Sequence, residues 1–385
     1  MTYSELASKF NFTFPDYAKE LFDGFWETYD EKTPALDEND ALLVAKETSL
    51  PEDGKNALLE CVKAVNGSAE ARLCAKFLIY ITVRARLPWQ NRIYTDDLFT
   101  VPGLMPEQVS WVIVAAALAN TLINKKPPKD LNAENLNAFR GYSLSCLEKK
   151  GYWGILEWSW NMLCAGGCMF LFGILKFVPG EFGNDFRVIT DGREYIALAC
   201  GEHFIGPDGE LTKDETAAIA KTSFYEDGEK YTGNAIDKTG RVNTKTDVFM
   251  KNVWKDFLRK GTPTLDIHIP SNVSYTPENI KSACETALEF YKNFFPELVP
   301  AAIAGYSWIF APQLEKVLPE GSNILRVNRS CHIIPTLGTY DEECRFIRKG
   351  SLLQTKIAEE CKKGTRFHYS VMFLPVGEIS SLGKE

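Results

Sequence analysis

The chain has 385 residues, of which 45% are hydrophobic and 24% charged. This composition is typical of globular proteins with sizeable cores, and the length suggests two domains. The formal net charge of −8 argues against a nucleic-acid partner, because such a partner requires a basic surface; it leaves room for a small basic patch that binds a phosphate.

Ten cysteines are scattered along the chain without any Cys-x-x-Cys pair. This pattern favours reduced thiols over a zinc site, whose ligands normally occur in close pairs. The N-terminus lacks a basic region followed by an apolar run, so no signal peptide is predicted. The longest apolar stretch, residues 109–123, is interrupted by polar side chains and is too short by this count to span a bilayer. We therefore expect a cytoplasmic protein without a membrane partner.

Helical periodicity dominates residues 1–165 and predicts an all-helical N-terminal domain. Ser68 is expected to cap one of these helices, and a proline at position 106 is expected to begin another. The predicted helices cover residues 16–29, 37–48, 52–65, 69–86, 106–123 and 135–149.

The apolar period changes from helical to alternating near residue 165, so we expect a second domain over residues 166–385. Short strands are predicted at 168–178, 194–204, 230–236 and 241–246, followed by a helix at 247–259. Residues 264–314 then read as strand, loop, helix, strand and helix. A strand at 323–334, two short helices within 341–362 and a strand at 367–374 complete the prediction. The fold class is therefore α+β, with a helical domain followed by a mixed sheet flanked by helices.

Two features of residues 264–314 point to chemistry. His268 lies on the polar face of its strand, at the end that enters the loop, where it could accept a proton near neutral pH; a purely structural histidine is the alternative. The following loop ends at Thr276 and Pro277, a predicted helix cap and first turn. Backbone amides and polar side chains at such a helix N-terminus can bind an anion.

Other constellations are weaker. The sequence Gly305-Tyr306-Ser307-Trp308-Ile309 begins like the nucleophile elbow of a serine hydrolase but lacks the final glycine. Arg326 and Arg329 are expected on a strand, where they could supply positive charge or face solvent. The four histidines are widely separated, so no metal site is predicted.

The element order over residues 264–334 resembles the core of the GCN5-related N-acetyltransferase (GNAT) fold. The short motifs in this region are similar to those of a bacterial family of two-domain, GNAT-like acyltransferases, which pair a helical N-terminal domain with a GNAT-like C-terminal domain. The motifs are His268-Ile269-Pro270, Phe294-Phe295-Pro296, Ser307-Trp308, Leu314 and Ser322-Asn323-Ile324.

The resemblance implies direct transfer of an acyl group from an acyl-CoA to an amine or hydroxyl of a small-molecule acceptor, without a metal. It assigns the pantetheine arm to the space between the two central strands and the pyrophosphate to the loop after the first of them. His268 becomes the candidate base or the group that polarises the acyl carbonyl, and Tyr306, Ser307 and Tyr340 become candidate acids. The candidate cofactor-binding residues are Ile269, Ser271, Asn272, Ser274, Thr276, Trp308 and Asn323.

One departure from the family pattern keeps a second hypothesis open. The usual pyrophosphate-loop signature contains glycines, and residues 270–276 contain none. The alternative is a non-catalytic GNAT-like protein that binds a ligand or a partner.

Overall fold

In the computed structural model the chain forms two compact units, residues 1–171 (the helical unit) and residues 172–385 (the sheet unit). The structure describes residues 2–10, 16–83, 101, 103–183 and 185–383. The sequence predicts a boundary between independently folding domains after residue 165. Compact units are defined by contacts rather than by independent folding, so this boundary stays a prediction.

The helical unit confirms the helical pattern of the N-terminal sequence. Residues 84–86 of the helix predicted at 69–86 lie outside the described part. The helices are α1 (Tyr3–Phe10), α2 (Asp16–Thr28), α3 (Glu38–Glu47), α4 (Glu52–Gly67), α5 (Ala69–Val83), α6 (Pro106–Asn120), α7 (Lys129–Lys150) and α8 (Trp158–Ala165).

Helix α6 forms the centre of this unit. Its residues 109–119 are all buried, and the Trp111 ring stacks on Trp153 with centroids 6.0 Å apart. A π-helical turn, Thr121–Lys125, extends α6, and Lys126 then ends the segment in a left-handed conformation.

The helical segment Pro106–Lys125 has 20 residues, so the expectation that this stretch is too short for a bilayer is wrong. By length and composition alone it could cross a membrane. The core helix of a soluble protein meets the same criteria, so this single segment is weak evidence for a membrane span.

Strands dominate the sheet unit, and β1 begins at the boundary between the two units. The strands are β1 (Phe170–Phe172), β2 (Leu175–Glu181), β3 (Phe186–Thr190), β4 (Tyr195–Ala199), β5 (Phe204–Ile205), β6 (Leu211–Thr212), β7 (Ala220–Lys221), β8 (Phe224–Glu226), β9 (Lys230–Ile236), β10 (Val242–Met250), β11 (Lys255–Leu258), β12 (Pro263–His268), β13 (Ala302–Ser307), β14 (His332–Tyr340) and β15 (Phe367–Pro375). The helices are α9 (Pro277–Phe294), α10 (Asn323–Ser330) and α11 (Leu352–Lys362).

A central six-stranded sheet has the order β1-β2-β12-β13-β15-β14. Strands β12 and β13 run parallel and are joined by α9, whereas β2 and β15 flank them antiparallel. A second sheet has the order β10-β9-β4-β3-β11, with β8 also paired to β9, and a small sheet has the order β6-β5-β7. The α+β fold class is thus confirmed.

Opposite faces of the central sheet bury different partners. Helix α9 is anchored to β2, because the Tyr291 hydroxyl donates a hydrogen bond of 2.7 Å to the Phe177 carbonyl. Ala302, Val371 and Phe373 of the central sheet share a core with residues of the second sheet. Helix α9 presents an apolar stripe, since Ile280, Cys284, Ala287 and Tyr291 are buried.

The helix predicted at 247–259 is wrong. These residues form the end of β10, a turn and β11. Most of β10 is exposed on both faces, so its sequence lacks the alternation that identifies a half-buried strand. Pairing along β9 determines its conformation instead.

The strand predicted at 323–334 is wrong in its first part. Ser322 accepts a hydrogen bond from the Leu325 amide and caps α10, and β14 begins only at His332. Arg326 and Arg329 therefore lie on a helix. Further along, residues 341–351 form turns, so α11 is the one α-helix described within 341–362, where two were predicted.

Glu210, just before β6, is a buried carboxyl group away from the central strands. Its side chain is 2% exposed, and neither carboxyl oxygen has a hydrogen-bond partner among the described residues. Burial, together with the charge of Asp208, raises the pKa of Glu210 from 4.5 to about 8. The folded protein therefore holds a proton on this group that the unfolded chain releases near pH 4.5.

We expect Glu210→Gln to become progressively more stable than the wild type between pH 5 and pH 8. In the wild type the folded pKa exceeds the unfolded one, so this group's contribution to stability falls as the pH rises through that interval. The difference should approach a few kcal/mol, on the order of 1 kcal/mol per pKa unit. Urea unfolding at pH 5 and at pH 8 measures this difference in the free energy of unfolding. The exposed Glu229→Gln variant serves as the control. Equal pH dependence in all three proteins would contradict the prediction.

Candidate functional site

The two parallel central strands pair only over their first halves. The ladder between β12 and β13 consists of Thr264 with Ala302, Leu265 with Ile303, and Asp266 with Ala304. Beyond this point β12 continues to His268 paired with β2, and β13 continues to Ser307 paired with β15. Each strand follows its outer neighbour, so the two diverge towards their carboxyl ends and open a slot between their facing edges.

His268 and Tyr306 stand at the open end of this slot, on the same face of the sheet. Side chains alternate along a strand, and paired residues of neighbouring strands share a face. The register of Asp266 with Ala304 therefore carries His268 and Tyr306, each two residues further on, to one face. The sequence-predicted base and one candidate acid are thus brought together.

Ser307 points to the opposite face by the same alternation. Its hydroxyl oxygen accepts a hydrogen bond of 3.4 Å from the Ile309 amide and so caps the 3-10 turn Trp308–Phe310. This arrangement differs from the strand-to-helix elbow that would expose a nucleophilic serine.

The phenol of Tyr306 lies in an aromatic cluster that borders the slot. Tyr306 is 59% exposed, and its ring stacks on Tyr369 at 5.6 Å. Burial, followed by a hydrogen bond with the Cys344 thiol, raises the pKa of Tyr369 to about 12, so its hydroxyl stays protonated at neutral pH. The stacked Tyr306 and Tyr369 rings therefore offer a flat aromatic surface, on which the Tyr369 hydroxyl is neutral.

Tyr340 and Trp308 fix the segment that leaves β13. The Tyr340 hydroxyl donates a hydrogen bond of 3.1 Å to the Trp308 carbonyl, and the two rings meet edge to face. The Asn328 amide donates to the Ile309 carbonyl at 2.9 Å. Tyr340 thus uses its hydroxyl to hold the backbone, and burial raises its pKa.

The loop after β12 forms a tight turn without glycine. Ser271 and Asn272 are exposed at the turn, and Asn272 has a φ of 62°. Asparagine adopts this left-handed conformation more readily than most residues because its short polar side chain can hydrogen-bond locally. A non-glycine residue thus supplies the backbone conformation that glycines often provide in phosphate-binding loops.

The loop then leads directly into the N-terminus of α9. Thr276 caps the helix by accepting a hydrogen bond of 3.3 Å from the Asn279 amide, and Pro277 occupies the first turn, as predicted. Tyr275 is buried. Ser274 remains exposed, and its carbonyl accepts hydrogen bonds from the Thr276 amide and the Asn279 side chain. The predicted loop residues therefore lie at the carboxyl end of β12, next to the slot.

Gly305 is a site residue whose importance the sequence did not reveal. A Cβ atom there would lie 3.0 Å from the Cγ1 atom of Ile267, across the slot, and 3.2 Å from a ring carbon of Phe310. The glycine thus allows the Ile267 side chain to approach β13 where the ladder has ended. Its place in the failed elbow motif was the available signal, but only the strand register gives it meaning.

One predicted cofactor-binding residue lies in a different kind of element. Asn323 is the first residue of α10 rather than part of a strand. Asp266 lies on the His268 face, but its carboxylate leans over Gly180 of β2, where an added Cβ would meet it at 2.5 Å. The described residues contain no group of three or more His, Cys, Asp or Glu side chains arranged to hold a metal ion.

The diverging parallel pair within this mixed sheet defines a GNAT-like fold. The family model of the GNAT-like C-terminal domain matches residues 170–372, more than half of the chain. The protein therefore belongs to the GNAT-like C-terminal domain family.

Solved structures of acyltransferases share this fold over nearly their whole length. A mutant acyltransferase, orf11, in complex with octanoyl-CoA has a TM-score of 0.56 and 13% identity, covering 97% of this chain and 99% of its own. An acyltransferase in complex with CoA and 10C-teicoplanin has a TM-score of 0.55 and 14% identity, covering 98% of this chain and 100% of its own. At this identity the likeness concerns the fold. No curated protein matches the sequence.

Proposed function

We propose that this protein is an acyl-CoA-dependent acyltransferase that transfers its acyl group directly to an amine or hydroxyl of a small-molecule acceptor. The observation that carries the proposal is the divergence of β12 and β13 after Asp266 and Ala304. The diverging edges of two strands can receive an extended, amide-containing chain such as pantetheine, which hydrogen-bonds to backbone groups as an added strand would.

The residues around the slot fit the remaining parts of the donor. The exposed side chains of Ser271 and Asn272, with the N-terminus of α9, suit the pyrophosphate because helix N-termini favour anions. At the opposite end of the donor, the thioester would lie beside the open ends of β12 and β13. Backbone N–H groups there can stabilise the oxyanion that forms when the acceptor attacks.

His268 and Tyr306 fit the proton transfers of this reaction. The acceptor approaches on the face that bears both side chains, and the His268 imidazole removes its proton as the new bond forms. The Tyr306 hydroxyl donates a proton to the departing CoA thiolate. Because the thiolate is itself a moderate leaving group, we expect the base to matter more than the acid.

The solved neighbours suggest which donors to test first. Structures of similar fold contain octanoyl-CoA and decanoyl-CoA, and one contains teicoplanin with decanoyl-CoA. Medium-chain acyl-CoAs are therefore the first candidates for this protein. We further propose a bacterial, two-domain, cytoplasmic enzyme; the family-like motifs, the two compact units and the ten free cysteines support this view.

Saturating CoA or octanoyl-CoA should raise the melting temperature of the purified protein by several degrees. Ligand at about 100 times its Kd stabilises a protein by about 2.7 kcal/mol, and each kcal/mol corresponds to about 2–4 °C for a chain of 150–250 residues. Differential scanning fluorimetry with adenosine as control makes the measurement. Unchanged melting at millimolar acyl-CoA would refute the proposal.

The glycine-free loop favours one competing function, a GNAT-like module that binds a ligand without catalysis. Two structural features weigh against a blocked site: the central strands stop pairing after Asp266 and Ala304, and the Tyr275 side chain is buried. Incubation of the protein with octanoyl-CoA and mixed amines and alcohols, followed by mass spectrometry, separates the two functions. Binding without any acylated product would favour the module.

A further inference from the structure

A basic cavity of about 250 Å³ lies outside the slot, in the sheet unit. Lys238 in the turn between β9 and β10 lines it together with Arg326 and Arg329 of α10, and Glu378 is the one carboxylate among its lining residues. Three positive charges thus meet in one cavity of a chain whose net charge is −8. Its volume suits part of a ligand rather than a whole one, since small-molecule pockets usually exceed about 300 Å³.

The two arginines have only loose ion pairs. Arg326 Nη2 lies 3.4 Å from Glu278 Oε1, and Arg329 Nε lies 3.9 Å from Glu315 Oε1, with both pairs partly exposed to solvent. Exposed pairs of this kind contribute little to stability, so a phosphate can replace them at low cost. Arginine is also well suited to phosphate because its planar guanidinium can donate two parallel hydrogen bonds.

Lys238 is held at the cavity by its own backbone. Its carbonyl accepts a hydrogen bond of 3.0 Å from the Ile333 amide, which fixes the turn beside the start of β14. The ring of the neighbouring His332 lies 3.3 Å from a Glu378 oxygen. Burial lowers the pKa of His332, Glu378 opposes this, and the charge of Lys238 lowers it further. The charge of Lys238 is therefore close enough to affect His332, whose partner Glu378 lines the cavity.

The cavity adjoins the first turn of α9, which follows the proposed pyrophosphate loop. Arg326 pairs with Glu278 in that turn, and a Cβ atom on Gly383, which lines the cavity, would lie 2.7 Å from the Cβ atom of Pro277. A donor that leaves the slot over the N-terminus of α9 thus brings its nucleotide end to the basic cavity.

We propose that this cavity binds the 3′-phosphate of coenzyme A and makes the protein selective for 3′-phosphorylated donors. This inference rests on the proposed function. Lys238, Arg326 and Arg329 surround the phosphate, and their charges offset its two negative charges. An otherwise identical donor that ends in an unmodified ribose lacks this contact.

Isothermal titration calorimetry of the full chain with CoA and with 3′-dephospho-CoA tests the inference. We expect CoA to bind at least about tenfold more tightly at low salt, since a charge-assisted contact is lost in the other ligand. The difference should shrink as salt is added, because salt screens partly exposed charges. Equal affinities for the two ligands would overturn the inference and leave the acyltransferase proposal standing. Failure to bind either ligand would overturn both.

Variants separate the cavity from the rest of the donor site. Arg326→Gln combined with Arg329→Gln should bind CoA and 3′-dephospho-CoA equally, with affinity for the dephospho form within about twofold of wild type. Lys238→Gln, on a different element, should reduce the discrimination and guards against a folding defect in α10. The exposed Arg348→Gln serves as the matched control. Full discrimination by both the double variant and Lys238→Gln would overturn the inference.

Discussion

Replacing His268 with alanine should lower kcat/KM for acyl transfer by about 10²–10⁴-fold, the usual contribution of a positioned general base. The affinity for CoA should change by less than about twofold, because the imidazole contacts the acceptor's proton rather than the donor. The assay follows release of the CoA thiol from octanoyl-CoA with an acceptor that the wild type acylates.

A second histidine provides the control for this experiment. His203 also follows a strand, but its ring stacks on Phe186 in another part of the sheet unit, with centroids 6.2 Å apart. His203→Ala should alter stability more than kcat/KM. If His268→Ala retains at least half of the wild-type kcat/KM and melts normally, His268 is not the base, and a base carried by the acceptor or by solvent takes its place.

Local sequence signals were sufficient to predict the two elements that lead into the site, strand β12 and the start of helix α9. Thr276 and Pro277 mark a helix start in any context, since the threonine side chain accepts from a free amide and proline lacks the amide that the first turn leaves unused. The observed α9 begins at Pro277 with Thr276 as its cap. The alternation of β12 similarly identified His268 as a residue on the polar face.

The divergence of the central strands could not be predicted in this way. The sequences of β12 and β13 contain no local signal that predicts the end of their pairing at Asp266 and Ala304. That outcome depends on how each strand follows β2 or β15, which are distant in the sequence. Strand register is a property of long-range pairing and burial rather than of local composition.

The basic cavity illustrates the same limit for side chains. Arg326 and Arg329 were noticed in the sequence but assigned to a strand, because the cap at Ser322 was not recognised as a helix start. On a strand, residues three apart point to opposite faces, whereas on a helix they lie on the same side. Lys238 joins them only through the turn that packs against Ile333, a contact between distant segments.

A substitution that fills the slot should weaken CoA binding far more than the substitution of a proton-transfer residue such as His268. We expect Gly305→Val to eliminate the CoA-induced rise in melting temperature. The new Cβ atom would stand 3.0 Å from Ile267 and 3.2 Å from Phe310, and the branched methyl groups need still more room. Overpacking of this kind costs about 1–3 kcal/mol, so the free protein should also melt at a lower temperature.

A second substitution in the site separates the loss of CoA binding from this general loss of stability. Combining Gly305→Val with Ile267→Ala removes the nearer of the two side chains that the valine meets, so the double variant should recover part of the affinity for CoA. Gly228→Val, which introduces a valine where no atom lies within 4 Å of the new Cβ, controls for the substitution. Because the two site residues are in contact, their effects on binding should be strongly non-additive. Normal CoA binding by Gly305→Val alone would show that the donor does not pass between β12 and β13, and the acyltransferase mechanism would then need a different donor site.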